Sequence, residues 1–178
     1  MNTPKLGLPL GNLAPYLAVS TSFTANQVTA VLFEVSAFSI TINNVLWNLL
    51  GGVVNAAVGL GIYAVTTGSL TRGTRLADTG PLPAAVANQG VNTSPFIAPV
   101  TLRCGIYCMA FNTNSAAITL SGMSPAGNNI TVLNMYNQKP EGFIGTAANA
   151  GVAGQLPTTL GLITATGAAK FPVLMLSN

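Results

Sequence analysis

The chain has 178 residues and a mass of 18.1 kDa, which suits one domain with a sizeable core rather than two domains. Only 5% of its residues are charged, where a typical soluble domain carries roughly 25%. It has no histidine, three carboxylates and six scattered basic residues, so we expect a protein that is not an enzyme, has no cofactor and does not bind nucleic acid.

The sequence favours strands over helices along its whole length. Val, Ile and Thr are abundant, Glu, Lys and Arg are scarce, and no apolar segment keeps the spacing of an amphipathic helix. Residues 1–15 contain three prolines, Pro4, Pro9 and Pro15, and are predicted to form an extended N-terminal arm. Residues 16–178 are predicted to form a single β-sandwich domain.

The first predicted strands lie between residues 16 and 45. Residues 16–23 alternate in polarity, residues 24–26 are a turn candidate, and residues 27–45 form a long β region with a bend near Ser36 and Ala37. Glu34 stands in an apolar run and faces outward by alternation. We interpret it as a solvent or inter-subunit contact rather than a catalytic residue.

The stretch from residue 45 to residue 65 has 21 residues without a charge, which is long enough for a membrane span. It contains Asn48, Asn55 and four glycines, and it lacks basic anchors at its ends. Gly51 and Gly52 are better explained as a break between two buried strands, so no membrane span is expected. Trp47 is interpreted as a core or interface anchor.

Residues 57–65 are predicted to form a strand that leads through a hairpin turn at residues 66–69 into a strand at residues 70–76. Arg72 and Arg75 lie close to Asp78, which indicates a local ion pair in a loop rather than a phosphate site. Residues 77–94 are predicted to be the longest loop, and a loop of this length usually contacts something.

Residues 100–111 form the clearest predicted strand. One face is assigned to the core and consists of Val100, Leu102, Cys104, Ile106, Cys108 and Ala110. The other face begins polar and ends with Tyr107, Met109 and Phe111, so we expect another element or another subunit to cover it there. On a strand, Cys104 and Cys108 lie roughly 13 Å apart, too far for a disulfide. Both are predicted to be free, buried thiols.

The remaining predicted elements are short. Strands are expected at residues 116–121, 130–136 and 171–176, with loops at residues 124–129 and 146–154 and one helical turn at residues 157–162. The whole chain therefore gives an all-β fold, an antiparallel sandwich of about eight strands.

Several of these segments resemble, in the same order, motifs of a type of domain met in virion proteins of tailed bacteriophages. They are residues 60–71 (LGIYAVTTGSLT), 99–107 (PVTLRCGIY), 156–161 (LPTTLG) and 171–176 (FPVLML). The resemblance spans about residues 40–176 and leaves residues 1–39 outside. Where such turns often carry Asp and Asn, this chain has residues 64–67 (AVTT), which removes support for ion binding there.

The resemblance implies a jelly-roll-like sandwich, usually a homotrimer on a capsid or tail, and it implies no catalytic residue. The first hypothesis is a capsid decoration (cement) protein whose partners are its own copies and the major capsid protein or other virion proteins. The candidate assembly contacts are Pro4, Leu6, Leu8, Leu10, Glu34, Trp47, Tyr107, Met109 and Phe111.

The second hypothesis is a tail-fibre or spike module that binds a host receptor through the loops at residues 77–94 and 124–129. These loops contain Asn and Gln but no aromatic ring. An enzyme is the third and least favoured alternative, because the three carboxylates fall in separate segments.

Overall fold

The computed structural model describes residues 6–7, 19–66, 69–123, 144–165, 171–172 and 174–178. Over these residues the fold is all-β, as predicted, and consists of one curled antiparallel sheet of thirteen strands with a single 3₁₀ turn at Val86–Asn88. The strands are β1 (Leu6–Gly7), β2 (Val19–Ser22), β3 (Thr29–Gly51), β4 (Ala57–Thr66), β5 (Ser69–Asp78), β6 (Leu82–Pro83), β7 (Gly90–Thr113), β8 (Thr119–Met123), β9 (Ile144–Ala147), β10 (Thr159–Leu160), β11 (Ile163–Ala165), β12 (Phe171–Pro172) and β13 (Met175–Ser177).

The sheet is organised around the pairing of β3 with β7, its two longest strands. They run antiparallel from Thr29 opposite Phe111 to Leu49 opposite Gly90. The main path through the sheet is β1-β13-β3-β7-β4-β5-β10. β9 pairs with β3 near its start, whereas β13 and β8 pair with β3 near its end.

Two register shifts interrupt the β3–β7 pairing, between Val35 and Ser39 and between Ile42 and Asn44. The first confirms the predicted bend, because residues 36–38 of β3 stand opposite Cys104 alone. A bulge of this kind bends a strand and reverses which residues face the core.

Because the core-facing side changes at this bulge, the predicted core face of residues 100–111 is partly wrong. Leu102 is in the same core as Met109 and Phe111, although they were assigned to opposite faces. Cys104 is exposed and Cys108 is buried, so the prediction of two buried thiols is wrong for Cys104. Strict alternation fails here because the pairing with β3 is interrupted at Cys104, which lies opposite residues 36–38.

The sheet buries side chains on both of its faces. The inner core takes residues from both ends of β3, including Phe33, Val35, Trp47 and Leu49, so the sheet curls around it. The outer core lies on the opposite face of the first half of β3. It contains Val28, Ala30, Leu32, Tyr63, Cys108, Ala110, Leu156, Leu160 and Ile163. We call residues 144–165, which cover this outer core, the cover segment.

The number of strands exceeds the predicted eight because several are only two or three residues long. The predicted strand at residues 171–176 is divided into β12 and β13. The predicted helical turn at residues 157–162 is wrong, since β10 extends there and pairs with Gly73 and Thr74 of β5. The predicted strand at residues 130–136 lies outside the described residues.

The predicted loop at residues 77–94 is only partly a loop. It contains β6 and the 3₁₀ turn, but β7 begins at Gly90, ten residues before the predicted start at Val100. Residues 45–65 form the end of β3, a turn and most of β4. Within the described residues, no helix combines the length and the hydrophobicity that crossing a bilayer requires.

Close backbone contact holds the cover segment against β4 at Gly59. A methyl group on Gly59 would overlap the carbonyl oxygen of Gly154, a glycine with a positive φ of 82°. We expect Gly59→Ala to lower the free energy of unfolding by about 1–3 kcal/mol, because the added methyl group must either push Gly154 away from β4 or distort the pairing of Gly59 with Asn112. Urea denaturation would measure the change, with Ser36→Ala at an exposed position as the control. Equal stability of the two variants would contradict the contact.

Candidate functional site

The candidate assembly contacts of the N-terminal arm are described at one position. Leu6 belongs to β1, whose backbone pairs with β13 through Leu6 opposite Leu176. Pro4, Leu8 and Leu10 lie outside the described residues. The assembly role of the arm therefore stays a prediction.

Three of the other candidate contacts are buried in the inner core of the same chain. Trp47, Met109 and Phe111 expose 4%, 0% and 1% of their surface. The indole Nε1 of Trp47 donates a hydrogen bond of 2.9 Å to the hydroxyl of Ser94, so its polar atom is also satisfied within the chain. Their apolar character is explained by packing in one molecule, and they present little surface to a partner.

Tyr107 is half-buried. Its ring lies 6.0 Å from the ring of Phe33, and its hydroxyl bonds to the backbone of Arg103 as both acceptor and donor. Phe33 of β3 in the same chain thus covers Tyr107, one of the apolar residues with which this face of residues 100–111 ends. Glu34 is exposed, as alternation predicted, and stands opposite Ile106.

A group of exposed apolar side chains, which the sequence analysis did not single out, lies at one end of the sheet. We call Leu50, Val54, Val86 and Val91 the apolar end. They expose between 43% and 75% of their surface. These large aliphatic side chains would normally be expected in a core or an interface.

The backbone brings the four residues of the apolar end together. Leu49, next to Leu50, pairs with Gly90, next to Val91. The amide of Val53 donates to the carbonyl of Ala84 over 3.0 Å, and Gly52 lies directly against the backbone of Ala85 and Val86. The end of β3, the turn that follows it, the 3₁₀ turn and the start of β7 therefore form one surface.

The two segments that form the apolar end carry no charged residue. Residues 44–57 and 82–95, which form it, contain no Asp, Glu, Lys or Arg. Apolar surface with few charges is typical of the centre of a protein–protein interface. The apolar end therefore has the composition of a protein-contact surface.

A second feature is the polar network that holds the cover segment. Arg75 and Asp78 form the predicted ion pair at 2.8 Å, although in strand β5 rather than in a loop. Arg75 also donates to the carbonyl of Leu156 over 2.7 Å, and the hydroxyl of Tyr63 donates to the carbonyl of Pro157 over 2.6 Å. These bonds fasten the cover segment to β4 and β5.

Beside this network lies an open cleft of about 310 Å³. The cleft is bounded by the apolar residues Ala150, Val152, Leu156 and Pro157 together with Arg75, Gln155 and Thr158. Val152 stands at its rim and is 73% exposed. The cleft thus combines apolar walls with one arginine that is fixed in place by its partners.

Two titratable groups of the outer core, Tyr63 and Cys108, have raised pKa values because they are buried. Burial raises the pKa of the Cys108 thiol to about 12, and burial likewise raises the pKa of Tyr63 above its ordinary value. Both groups stay protonated near neutral pH. Among the described residues, no cluster of three or more Cys, Asp or Glu side chains could hold a metal ion.

The two thiols should differ in reactivity because only a thiolate attacks alkylating reagents rapidly. We expect one equivalent of iodoacetamide to label the native chain at Cys104, and a second to label Cys108 only after denaturation. Mass spectrometry of the labelled peptides at pH 8 would measure this, with Cys104→Ser as the control that leaves no fast site. Rapid labelling of Cys108 in the native protein would show that the outer core is open.

In comparisons with known proteins, no family model matches the chain and no curated protein matches its sequence. The function is therefore inferred from the residues of the chain and their arrangement.

Proposed function

We propose that the protein is a non-enzymatic structural protein of a phage virion, most specifically a capsid decoration (cement) protein that assembles as a homotrimer on the shell. Its partners would be copies of itself and the major capsid protein. The observation that carries this proposal is the apolar end, an uncharged apolar surface that a single chain leaves in contact with water.

The hydrophobic effect gives the apolar end its importance. Burying apolar surface stabilises a complex by roughly 25 cal/mol per Å² before the costs of association are subtracted. Few charges need to be stripped of water here, because the two segments that form the surface carry none. A large partner surface such as a capsid shell would supply the cover.

The resemblance to phage virion domains supports the choice of a shell. Two of the resembling segments contact each other, since Tyr63 of the first bonds to Pro157 of the third. Arg75, which follows the first segment, bonds to Leu156. The first and third resembling segments are therefore neighbours in the fold.

The proposed homotrimer can be tested by measuring the mass of the purified protein in solution. We expect sedimentation equilibrium of the purified chain at micromolar concentration to give three times the 18.1 kDa of one chain. The trimer would bury part of the apolar surface that the low charge content leaves uncovered. A stable monomer across this concentration range would contradict the oligomeric part of the proposal.

The proposed position on the capsid shell can be tested by counting the copies of this chain in purified virions. A decoration protein is present in numbers comparable to the major capsid protein, so quantitative mass spectrometry of purified virions should give a fixed ratio of that order. Val91→Lys, which places a charge on the apolar end, should leave the trimer mass unchanged and deplete the virions of this chain at least tenfold.

Thr74→Lys, at an exposed position on β5, serves as the matched control and should be incorporated normally. A few copies per virion would favour the alternative, a tail-fibre or spike module that binds a host receptor. Normal incorporation of Val91→Lys would exclude the apolar end as the shell contact.

A further inference from the structure

Phe38 is the most exposed large apolar side chain of the described residues, with 99% of its surface in contact with solvent. It belongs to the bulge in which residues 36–38 of β3 stand opposite Cys104 alone. Its neighbours Ser36 and Ser39 are exposed as well. The bulge therefore projects an aromatic ring that packs against no other part of the chain that the structure describes.

An exposed phenylalanine on an ordered strand leaves apolar surface in water, which does not stabilise the fold of a single chain. Aromatic side chains are enriched at the centres of protein interfaces, and bulges often redirect a side chain for a function. At the neighbouring positions of the strand, alternation would place the ring either in the inner core or among polar residues. The bulge instead gives it a position suited to insertion into another molecule.

The same chain contains a cleft whose size and apolar walls suit an aromatic ring. The cleft beside the cover segment has a volume of about 310 Å³, at the lower limit of pockets that hold a small ligand. Ala150, Val152 and Pro157 give it apolar walls. An aromatic ring that enters between them would cover Val152, which is otherwise exposed.

Arg75 contributes a guanidinium to the lining of the cleft. Its guanidinium is held by Asp78 at 2.8 Å and by the carbonyl of Leu156 at 2.7 Å, so its position is fixed before anything binds. A fixed guanidinium at the edge of an apolar cleft favours the face of an aromatic ring. Asp78 compensates its charge, which keeps the cost of desolvation low.

We propose that Phe38 of one copy inserts into the cleft of the next copy and forms a head-to-tail contact of the oligomer. This inference rests on the proposed homotrimer. A ring of three subunits needs two different surfaces on each subunit that fit each other, unlike a twofold dimer, which pairs one surface with itself. Phe38 and the cleft are two such surfaces on one chain.

The test uses two variants that each remove one half of the contact. Phe38→Ser removes the ring, and Val152→Lys obstructs the cleft with a long charged side chain. Both positions are exposed, so the folded structure should persist, and circular dichroism would verify it. Each variant alone should lose the trimer in sedimentation velocity at micromolar concentration. Phe38→Tyr, which keeps a ring, should retain it.

Mixing the two variants distinguishes a head-to-tail contact from other interfaces. The Val152→Lys subunit still carries Phe38, and the Phe38→Ser subunit still carries an open cleft, so one contact forms between them. The mixture should therefore give dimers of one subunit of each kind and no closed trimer. Matched controls are Ile97→Ser, which removes another exposed apolar side chain, and Leu162→Lys, which adds a charge to the cover segment outside the cleft.

Three outcomes would overturn the inference. A trimer that survives in either single variant would place the interface elsewhere while leaving the proposed function intact. A mixture that stays monomeric would show that Phe38 and the cleft do not contact each other. A monomeric wild-type chain would overturn both this contact and the homotrimer, a failure that the wild-type measurement identifies by itself.

Discussion

The antiparallel pairing of β3 with β7 is the interaction on which the rest of the structure depends. On the main path β13 pairs with β3 and β4 pairs with β7, and the remaining strands are attached outward from these two neighbours. Because the register shifts bend the pair, both halves of β3 contribute to the same inner core. The bends thus convert a long two-stranded ribbon into a curled sheet with a closed apolar interior.

Burial on both sheet faces explains the composition of the central strands. Leu32 and Phe33 are adjacent in β3, yet both are buried, one in the outer core and the other in the inner core. The cover segment makes this possible, since it packs Leu156 and Leu160 on the outer face. It is attached by the pairing of β9 with β3 and of β10 with β5, and by the side-chain bonds from Tyr63 and Arg75.

Because charged residues are scarce, parts of the surface are formed by apolar side chains. The described carboxylate and guanidinium groups are Glu34, Arg75, Asp78 and Arg103, and two of these neutralise each other. The apolar end is built from two segments without a charge, whereas Phe38 is next to Ser39, which stands opposite the exposed Arg103. Uncharged apolar surface of this kind is typical of protein–protein interfaces.

The sequence by itself determined the all-β class, the bend near Ser36, the strand of residues 57–65 and the pairing of Arg75 with Asp78. These features depend on local pattern, on β-branched residues and on short separations along the chain. Tertiary structure alone decided that Cys104 is exposed, that Met109 and Phe111 are covered from within, and that Val91 and Phe38 are not covered. The physical reason is that the faces of both strands reverse at the bulge, where residues 36–38 stand opposite Cys104, and local sequence patterns do not show which distant residues will pair.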